Sequence, residues 1–359
     1  MKQKYYSLKN ILSYNAHYNV IFGERSNGKT YSVLEYALKN HKTLAYIRRY
    51  REDFRGKRGQ ALYASLTANG VIEKATGGEW TDVYYYASKF YFCRYDPEDK
   101  KRIVDEKPMA YAFALTETEH DKGASYPDID VVCFDEFITR DLYLADEFVL
   151  FMNTLSTIIR SRDNVKIFML GNTVNKYSPY FGEMGLKHVK EMKQGTIDIY
   201  TYGQTNLKVA VEYADTGVKA GKSSDVYFAF DSPELKMITT GEWELSIYPH
   251  LPEKYRPKDI LFVFFIIFDR DILQCEVIDG SQGVFIFVHR KTTPIQDEAN
   301  DLVFTTEYSN RPNYRRKLTR PILPVEKKIA ALFAADKVFY QSNEVGEIVN
   351  NYLKWCRQE

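Results

Sequence analysis

The chain has 359 residues, more than one hydrophobic core usually supports, so two domains are expected. Its 49 Lys and Arg against 48 Asp and Glu leave a net charge of +1, which excludes a general polycation and confines any nucleic-acid contact to local basic patches. Cys93, Cys133, Cys275 and Cys356 are scattered without a C-x-x-C pair, which argues against a structural zinc or a disulfide framework and for a reducing, cytoplasmic setting.

The start of the chain carries Lys2 and Lys4 but no apolar signal run. Tyr18 to Phe22 reads as a short strand, followed by a glycine loop and a helix from about Thr30 to Lys39. Thr43 to Arg48 is the next strand, and Val83–Tyr86 with Phe90–Arg94 flank a hairpin turn at Ala87-Ser88-Lys89. Ile129–Phe134 and Val165–Leu170 are continuous apolar runs of the kind found in buried parallel strands. Between them, Phe148, Phe151, Met152, Leu155 and Ile159 fall on one face of a helix spanning about Asp146 to Ile159. This alternation predicts a mostly parallel α/β sheet.

From Gly195 the pattern changes. Ile197–Tyr202 and Val209–Tyr213 read as strands, and Thr216–Ser224 is a Gly, Lys and Ser-rich loop ahead of Pro233, Pro249, Pro252 and Pro257. The expected division is a mostly parallel α/β domain over 1–209, a linker over 210–255 and a smaller α+β domain over 256–359. The last part offers strands at Ile260–Phe268, Leu273–Ile278 and Val284–His289, then a helix-prone tail from Val325 to Trp355. Ile260–Phe268 is about half of a membrane span and reads as a buried strand, so no membrane contact is expected.

Gly23-Glu24-Arg25-Ser26-Asn27-Gly28-Lys29-Thr30 fits G-x-x-x-x-G-K-[ST] between a strand and a helix. Glycines let backbone N–H groups curl around phosphate oxygens, and the helix start offers its positive end to the anion. Gly23, Ser26, Asn27, Gly28, Lys29, Thr30 and Tyr31 are therefore the candidate ATP cradle. Lys29 is placed on the β and γ phosphates, and the Thr30 hydroxyl on Mg²⁺.

Val131-Val132-Cys133-Phe134-Asp135-Glu136 is an apolar strand ending in two carboxylates. Such a strand delivers its C-terminal residues to the sheet edge where α/β proteins bind ligand. Asp135 is the second candidate for holding Mg²⁺, and Glu136 is the candidate for polarising the attacking water. Asn172, at the end of the next strand, could bond the γ phosphate or that water, or simply cap a turn.

Arg160 and Arg162 follow the central helix, where a cation is favoured by the helix dipole but could also serve as an arginine finger in a neighbouring subunit. Lys122, in the loop His120–Gly123, is a second trans-acting candidate. Arg48, Arg49 and Arg51, with Arg55, Lys57 and Arg58, form a basic run that is either a solvated face or a contact with nucleotide, neighbour or DNA.

Taken in order, Asn19–Tyr31, Tyr46–Arg51, Tyr126–Phe137 and Ile159–Asn172 resemble the DNA-packaging ATPases of small short-tailed bacteriophages, of the phi-twenty-nine type. The resemblance is closest over the first 200 residues or so and weaker over the last hundred. It implies a P-loop NTPase of the additional-strand, catalytic-glutamate class, with an RNase H-like C-terminal domain that has lost nuclease activity. It also implies a homo-oligomeric ring, usually a pentamer, attached to the portal of an empty capsid in the host cytoplasm and driving double-stranded DNA inward. Sites at subunit interfaces would then give Arg160 its finger role and align Lys122 with a second trans-acting cation. Arg51 falls at a position that is basic in the relatives. Some relatives dock through a packaging RNA. Two rival readings remain: a terminase-like motor that also cuts DNA through Asp269, Asp271 and Asp279, and a nucleotide-dependent regulatory protein that moves nothing.

Overall fold

A computed structural model describes residues 5–117, 125–215, 243 and 246–358. The predicted loop Thr216–Ser224 and the His120–Gly123 loop lie outside them. The chain divides into two compact units, Met1–Glu244 and Leu245–Glu359.

The first unit opens with α1 (Lys9–Leu12), β1 (Tyr18–Gly23), α2 (Lys29–Lys39) and β2 (Thr43–Arg48). Three short helices follow, α3 (Lys57–Ala61), α4 (Ala64–Ala68) and α5 (Val71–Ala75), then the strands β3 (Asp82–Tyr86), β4 (Lys89–Asp96) and β5 (Lys101–Ala114). It continues with β6 (Ile129–Asp135), α6 (Glu147–Ile159), β7 (Lys166–Asn172), α7 (Pro179–Glu183), β8 (Ile197–Thr201) and β9 (Lys208–Ala214). These strands form a nine-stranded sheet in the order β3-β4-β5-β2-β6-β7-β1-β9-β8.

Strands β5, β2, β6, β7, β1 and β9 run parallel, and β3, β4 and β8 pair antiparallel at the two sides. β7 lies between the phosphate-loop strand β1 and the acidic strand β6, the defining insertion of the additional-strand class. The continuous apolar runs foreseen in β1, β2, β6 and β7 follow from burial on both faces. Val20, Phe22, Ala45, Ile47, Val132, Phe134, Ile167 and Met169 point to the side covered by α6 and α7. Ile21, Leu44, Tyr46, Val131, Cys133, Phe168 and Leu170 point to the side covered by α2, α4 and α5.

Two expectations are corrected here. β9 pairs in full register with β1, so a boundary at 209 would cut a strand held between β1 and β8; the first unit runs on to Glu244. β5 was not foreseen, because its first half is charged and it contains Pro108. The register shifts around Tyr91, opposite Pro108, absorb the residue that cannot donate a ladder hydrogen bond. The β3–β4 hairpin was foreseen, and its turn residues Ala87 and Ser88 both take positive φ, as a two-residue turn requires.

The second unit contains β10 (Ile260–Phe268), β11 (Asp271–Gly280), β12 (Gly283–Arg290), β13 (Val303–Thr305), β14 (Tyr314–Arg315), α8 (Pro324–Ala334), β15 (Val338–Tyr340) and α9 (Asn343–Gln358). Its sheet order is β14-β13-β10-β11-β12-β15, an antiparallel β10–β11–β12 meander flanked by parallel pairings. The tail is not one helix. Val338–Tyr340, β-branched and aromatic, joins β12 as a strand and separates α8 from α9. In α9, Val345, Ile348, Val349, Tyr352 and Cys356 are buried at helical spacing. Among the described residues no helix is long and apolar enough to cross a membrane, and the four cysteines are free and buried.

Asp269, Asp271 and Asp279 do not converge. Asp271 and Asp279 sit near opposite ends of β11, about 26 Å apart at a strand's rise per residue. Asp271 is paired with Arg290 at 2.5 Å, and no cluster of three metal-ligating side chains occurs among the described residues. The two-metal arrangement considered for these acids is therefore overturned.

Candidate active site

The parallel strands β1, β2, β6 and β7 end at one edge of the sheet and so bring Gly23, Arg48, Asp135 and Asn172 together. At Gly23 φ is +152°, and a Cβ there would lie 2.8 Å from the Ala214 carbonyl oxygen, so the end of β9 excludes any side chain. Gly28 takes φ +91° and leads into α2, which starts without a side-chain cap. The N–H groups of its first turn remain available to an anion. Asn27 is buried, and its Nδ2 has no hydrogen-bond partner among the described residues. A buried donor left unpaired is destabilising, and a phosphate oxygen would satisfy it. The loop therefore fits a triphosphate on its own geometry.

Lys29 Nζ donates to the Glu24 carbonyl at 2.5 Å, to Asn27 Oδ1 at 3.2 Å and to Asn172 Oδ1 at 3.3 Å. Burial lowers its ammonium pKa to about 8, against the opposing pull of Asp135 and Glu24. Thr30 Oγ1 donates to Asp135 Oδ2 at 2.9 Å. A hydroxyl and a carboxylate in contact are the protein ligands Mg²⁺ uses when phosphates and water complete its shell.

Tyr46 was missed by sequence reasoning. Its hydroxyl donates to the same Asp135 Oδ2 at 2.6 Å, and burial pushes the phenol well above its ordinary range. The pairing of β2 with β6 sets Tyr46 opposite Cys133, on the same face as the Asp135 carboxylate. No local motif encodes that register. Also unforeseen was the brace formed by the N-terminal segment. Tyr6 N donates to the Asn27 carbonyl at 2.8 Å, Ser32 Oγ donates to the Tyr6 carbonyl at 2.6 Å, and the Tyr6 hydroxyl donates to Glu212 at 2.5 Å. Burial holds the Glu212 carboxyl above its usual range.

Glu136 takes φ +58°, a left-handed conformation unusual for a residue with a side chain. Its carboxylate, about half exposed, accepts from Arg48 at 2.7 Å, and Arg48 also pairs with Asp53 at 3.3 Å. Arg48, a candidate for contacting nucleotide, a neighbour or DNA, lies beside Glu136. Arg51 pairs with Glu117. Ser26 is exposed in the loop at φ +57°, and the Tyr31 hydroxyl accepts from Asn69 at 3.4 Å.

Arg162 is corrected. Its guanidinium donates to the carbonyls of Pro127 at 2.8 Å, Ile129 at 2.6 Å, Tyr126 at 3.1 Å, Ile158 at 2.8 Å and Ile159 at 3.3 Å. Those bonds close the last turn of α6 and tie it to the segment entering β6, so the side chain is a structural cap. Arg160 is exposed at the C-terminal end of α6, with φ +51°. Because α6 runs back from the end of β6 to the start of β7, Arg160 lies at the opposite edge of the sheet from its own phosphate loop. Lys122 lies outside the described residues.

Comparisons place this geometry among known proteins. The model of the family "Podovirus DNA encapsidation protein (Gp16)" matches residues 82–305, more than half of the chain. A DNA packaging protein of Bacillus phage B103 is 26% identical over 183 residues, 49% of this chain and 50% of that protein. The DNA packaging protein of Bacillus phage phi29 is 26% identical over 187 residues, 50% of each chain. The matched region thus spans about half the length of these curated relatives. The solved structure of the phage phi-28 gp11 DNA packaging motor shares the fold, with a TM-score of 0.55 at 18% identity over 100% of this chain and 99% of that one. With a phosphate loop, an inserted β7 and an acidic strand in one sheet, this chain belongs to the podovirus DNA encapsidation protein (Gp16) family.

Proposed function

We propose that this chain is the ATP-hydrolysing subunit of an oligomeric motor that drives double-stranded viral DNA into a preformed capsid. The observation that carries the reading is a pair of hydrogen bonds, Lys29 to Asn172 and Thr30 to Asp135, that join the start of α2 to the ends of β7 and β6. Such a constellation supports the positioning of a nucleotide triphosphate.

The N–H groups from Asn27 to Thr30 and the Lys29 ammonium would bind the β and γ phosphates. Thr30 Oγ1 and Asp135 would hold Mg²⁺, which when bound neutralises charge on the phosphate oxygens. Glu136 would take a proton from the attacking water, and Asn172 would orient that water or the γ phosphate. Arg48 holds the Glu136 carboxylate in the conformation described, so that pair must open before the glutamate acts. Arg160, far from its own site, is suited to the site of a neighbour in a ring, and Lys122 is assigned the same role by the family resemblance.

Double-stranded DNA, the capsid portal and further copies of the chain are the partners this reading requires, in the host cytoplasm at the procapsid. A pentamer is the expected ring. The order β12-β11-β10-β13-β14 supports an RNase H-like second unit, and the scattered acids support its being catalytically silent.

The test is ATP turnover by the full chain with and without duplex DNA, together with particle mass. Turnover stimulated by duplex of any sequence, weakening with salt, is expected, because backbone contact dominates. Robust turnover in Lys29→Ala, or none in the native chain, would overturn the reading.

A further inference from the structure

We propose that Arg49 and Glu147 form a positioning clamp that holds the Glu136 backbone in its left-handed conformation and fastens the catalytic loop to helix α6. This inference rests on the ATPase reading above and deepens it. Neither residue belongs to the phosphate loop or the acidic pair, and neither side chain touches the Glu136 carboxylate.

Both side chains are buried, and they form a bidentate pair, Arg49 Nε to Glu147 Oε2 at 2.7 Å and NH2 to Oε1 at 2.8 Å. Two further donors of the guanidinium reach the loop that carries Glu136. NH1 donates to the Glu136 carbonyl at 3.2 Å and NH2 to the Phe137 carbonyl at 3.1 Å. Glu147 also accepts from the Leu144 N–H at 2.8 Å and the Tyr180 hydroxyl at 2.9 Å. The Tyr143 ring lies under the guanidinium at 5.2 Å.

Two physical arguments assign this network to positioning. A buried ion pair is a weak device for stability, since two apolar side chains of similar volume often do as well or better. Its presence beside a catalytic loop therefore calls for a second role. Glu136 supplies it. A non-glycine residue at φ +58° persists only where its surroundings over-determine it. Here the Glu136 N–H is bonded to Asp135 Oδ1 at 3.0 Å and the Phe137 N–H to the Leu170 carbonyl at 3.1 Å. Arg49 fixes the two carbonyls of the same residues, so both sides of the strained backbone are pinned. Glu147 is the first residue of α6, and Arg160 follows its last, about 20 Å away along the helix axis. The clamp thus joins the residue that would handle water to the element that carries the candidate finger.

The experiment compares steady-state ATP turnover, nucleotide affinity and thermal unfolding of the native full-length chain, Arg49→Lys, and Arg49→Met paired with Glu147→Leu. Each change is made both alone and together with Glu136→Gln. Arg49→Lys keeps the charge against Glu147 but loses the planar fork. A drop in kcat of about tenfold or more, with KM and nucleotide affinity within about twofold, is expected for both variants. In the Glu136→Gln background the same changes should have almost no further effect, because the group they position is already gone. A purely structural role would lower the unfolding midpoint and reduce activity by the same factor in both backgrounds. That result, or native kcat in Arg49→Lys, overturns the clamp. An inactive native chain would instead overturn the ATPase reading itself and the clamp with it.

Discussion

The Thr30 hydroxyl donates to Asp135 Oδ2 at 2.9 Å although the two residues are 105 positions apart. Tyr46 adds a second donor to the same oxygen at 2.6 Å, and Asp135 Oδ1 accepts from the Glu136 N–H at 3.0 Å. The carboxylate is therefore held in place from three directions before any ion arrives.

Asp135→Asn keeps the shape of that carboxylate and removes its charge. Mg²⁺-dependent turnover should fall by at least about a hundredfold, while nucleotide binding in chelator persists. Tyr46→Phe removes one hydrogen bond to a charged group, worth about 1.5–3 kcal/mol. The Mg²⁺ concentration for half-maximal turnover should then rise by about tenfold or more. Titrating Mg²⁺ against turnover checks both, and native behaviour in Asp135→Asn would remove this residue from the site.

Lys29 carries a pH prediction. Its folded pKa, about 8, lies below the unfolded value near 10.5. Below the folded value the ammonium is charged in both states and its burial destabilises the fold; the penalty is relieved as pH rises from the folded to the unfolded value. Its size is on the order of 3 kcal/mol. A bound polyphosphate favours the charged form, so nucleotide binding at about pH 8.5, just above the folded pKa, should take up a fraction of a proton. Calorimetry in buffers of different ionisation enthalpy should detect that uptake, and find roughly none near pH 6.5. Equal uptake at both pH values, or uptake that survives in Lys29→Met, would refute the linkage.

Arg48 and Glu136 form a partly exposed pair at 2.7 Å. Pairs of this kind contribute about 1 kcal/mol at most, which corresponds to about a fivefold change in population. Arg48→Gln should release the carboxylate and raise turnover without DNA by up to about that factor. A fall in turnover would mean that Arg48 is needed in the reacting complex rather than as a restraint on Glu136.

The two arginines at the end of α6 should separate cleanly. Arg162→Ala leaves several carbonyls without their donor and should destabilise the first unit by about 2 kcal/mol or more in denaturant unfolding. Arg160→Ala should leave stability within about 0.5 kcal/mol. If sites are shared, mixing it with Glu136→Gln should restore turnover that neither variant has alone. Absence of recovery in assemblies confirmed as mixed by mass would count against the trans role.

The phosphate loop and the acidic strand were legible because their chemistry is local. A turn needing positive φ at Gly23 and Gly28, a lysine and a hydroxyl at a helix start, and an apolar run ending in Asp135-Glu136 each specify a short segment on their own. The buried parallel strands were legible for the same reason, since burial on both faces leaves an uninterrupted apolar run. β5 was not, because half of it is exposed and charged and a bulge accommodates its proline. β15 was not, because three residues between two helices become a strand only when β12 offers a partner.

What the amino-acid sequence by itself determined was the kind of chemistry available: phosphate binding, a hydroxyl and a carboxylate for a hard cation, and a carboxylate for water. What only the tertiary structure decided was which polar groups share that chemistry. Tyr46 reaches Asp135 through strand register, Arg48 and Arg49 diverge from adjacent positions at the end of β2 and just past it to different glutamates, and Arg162 turns inward to cap a helix while Arg160 stays exposed. The reason is physical: a charged side chain advertises only that it needs a partner. Packing between strands and helices distant in sequence sets which partner comes within reach.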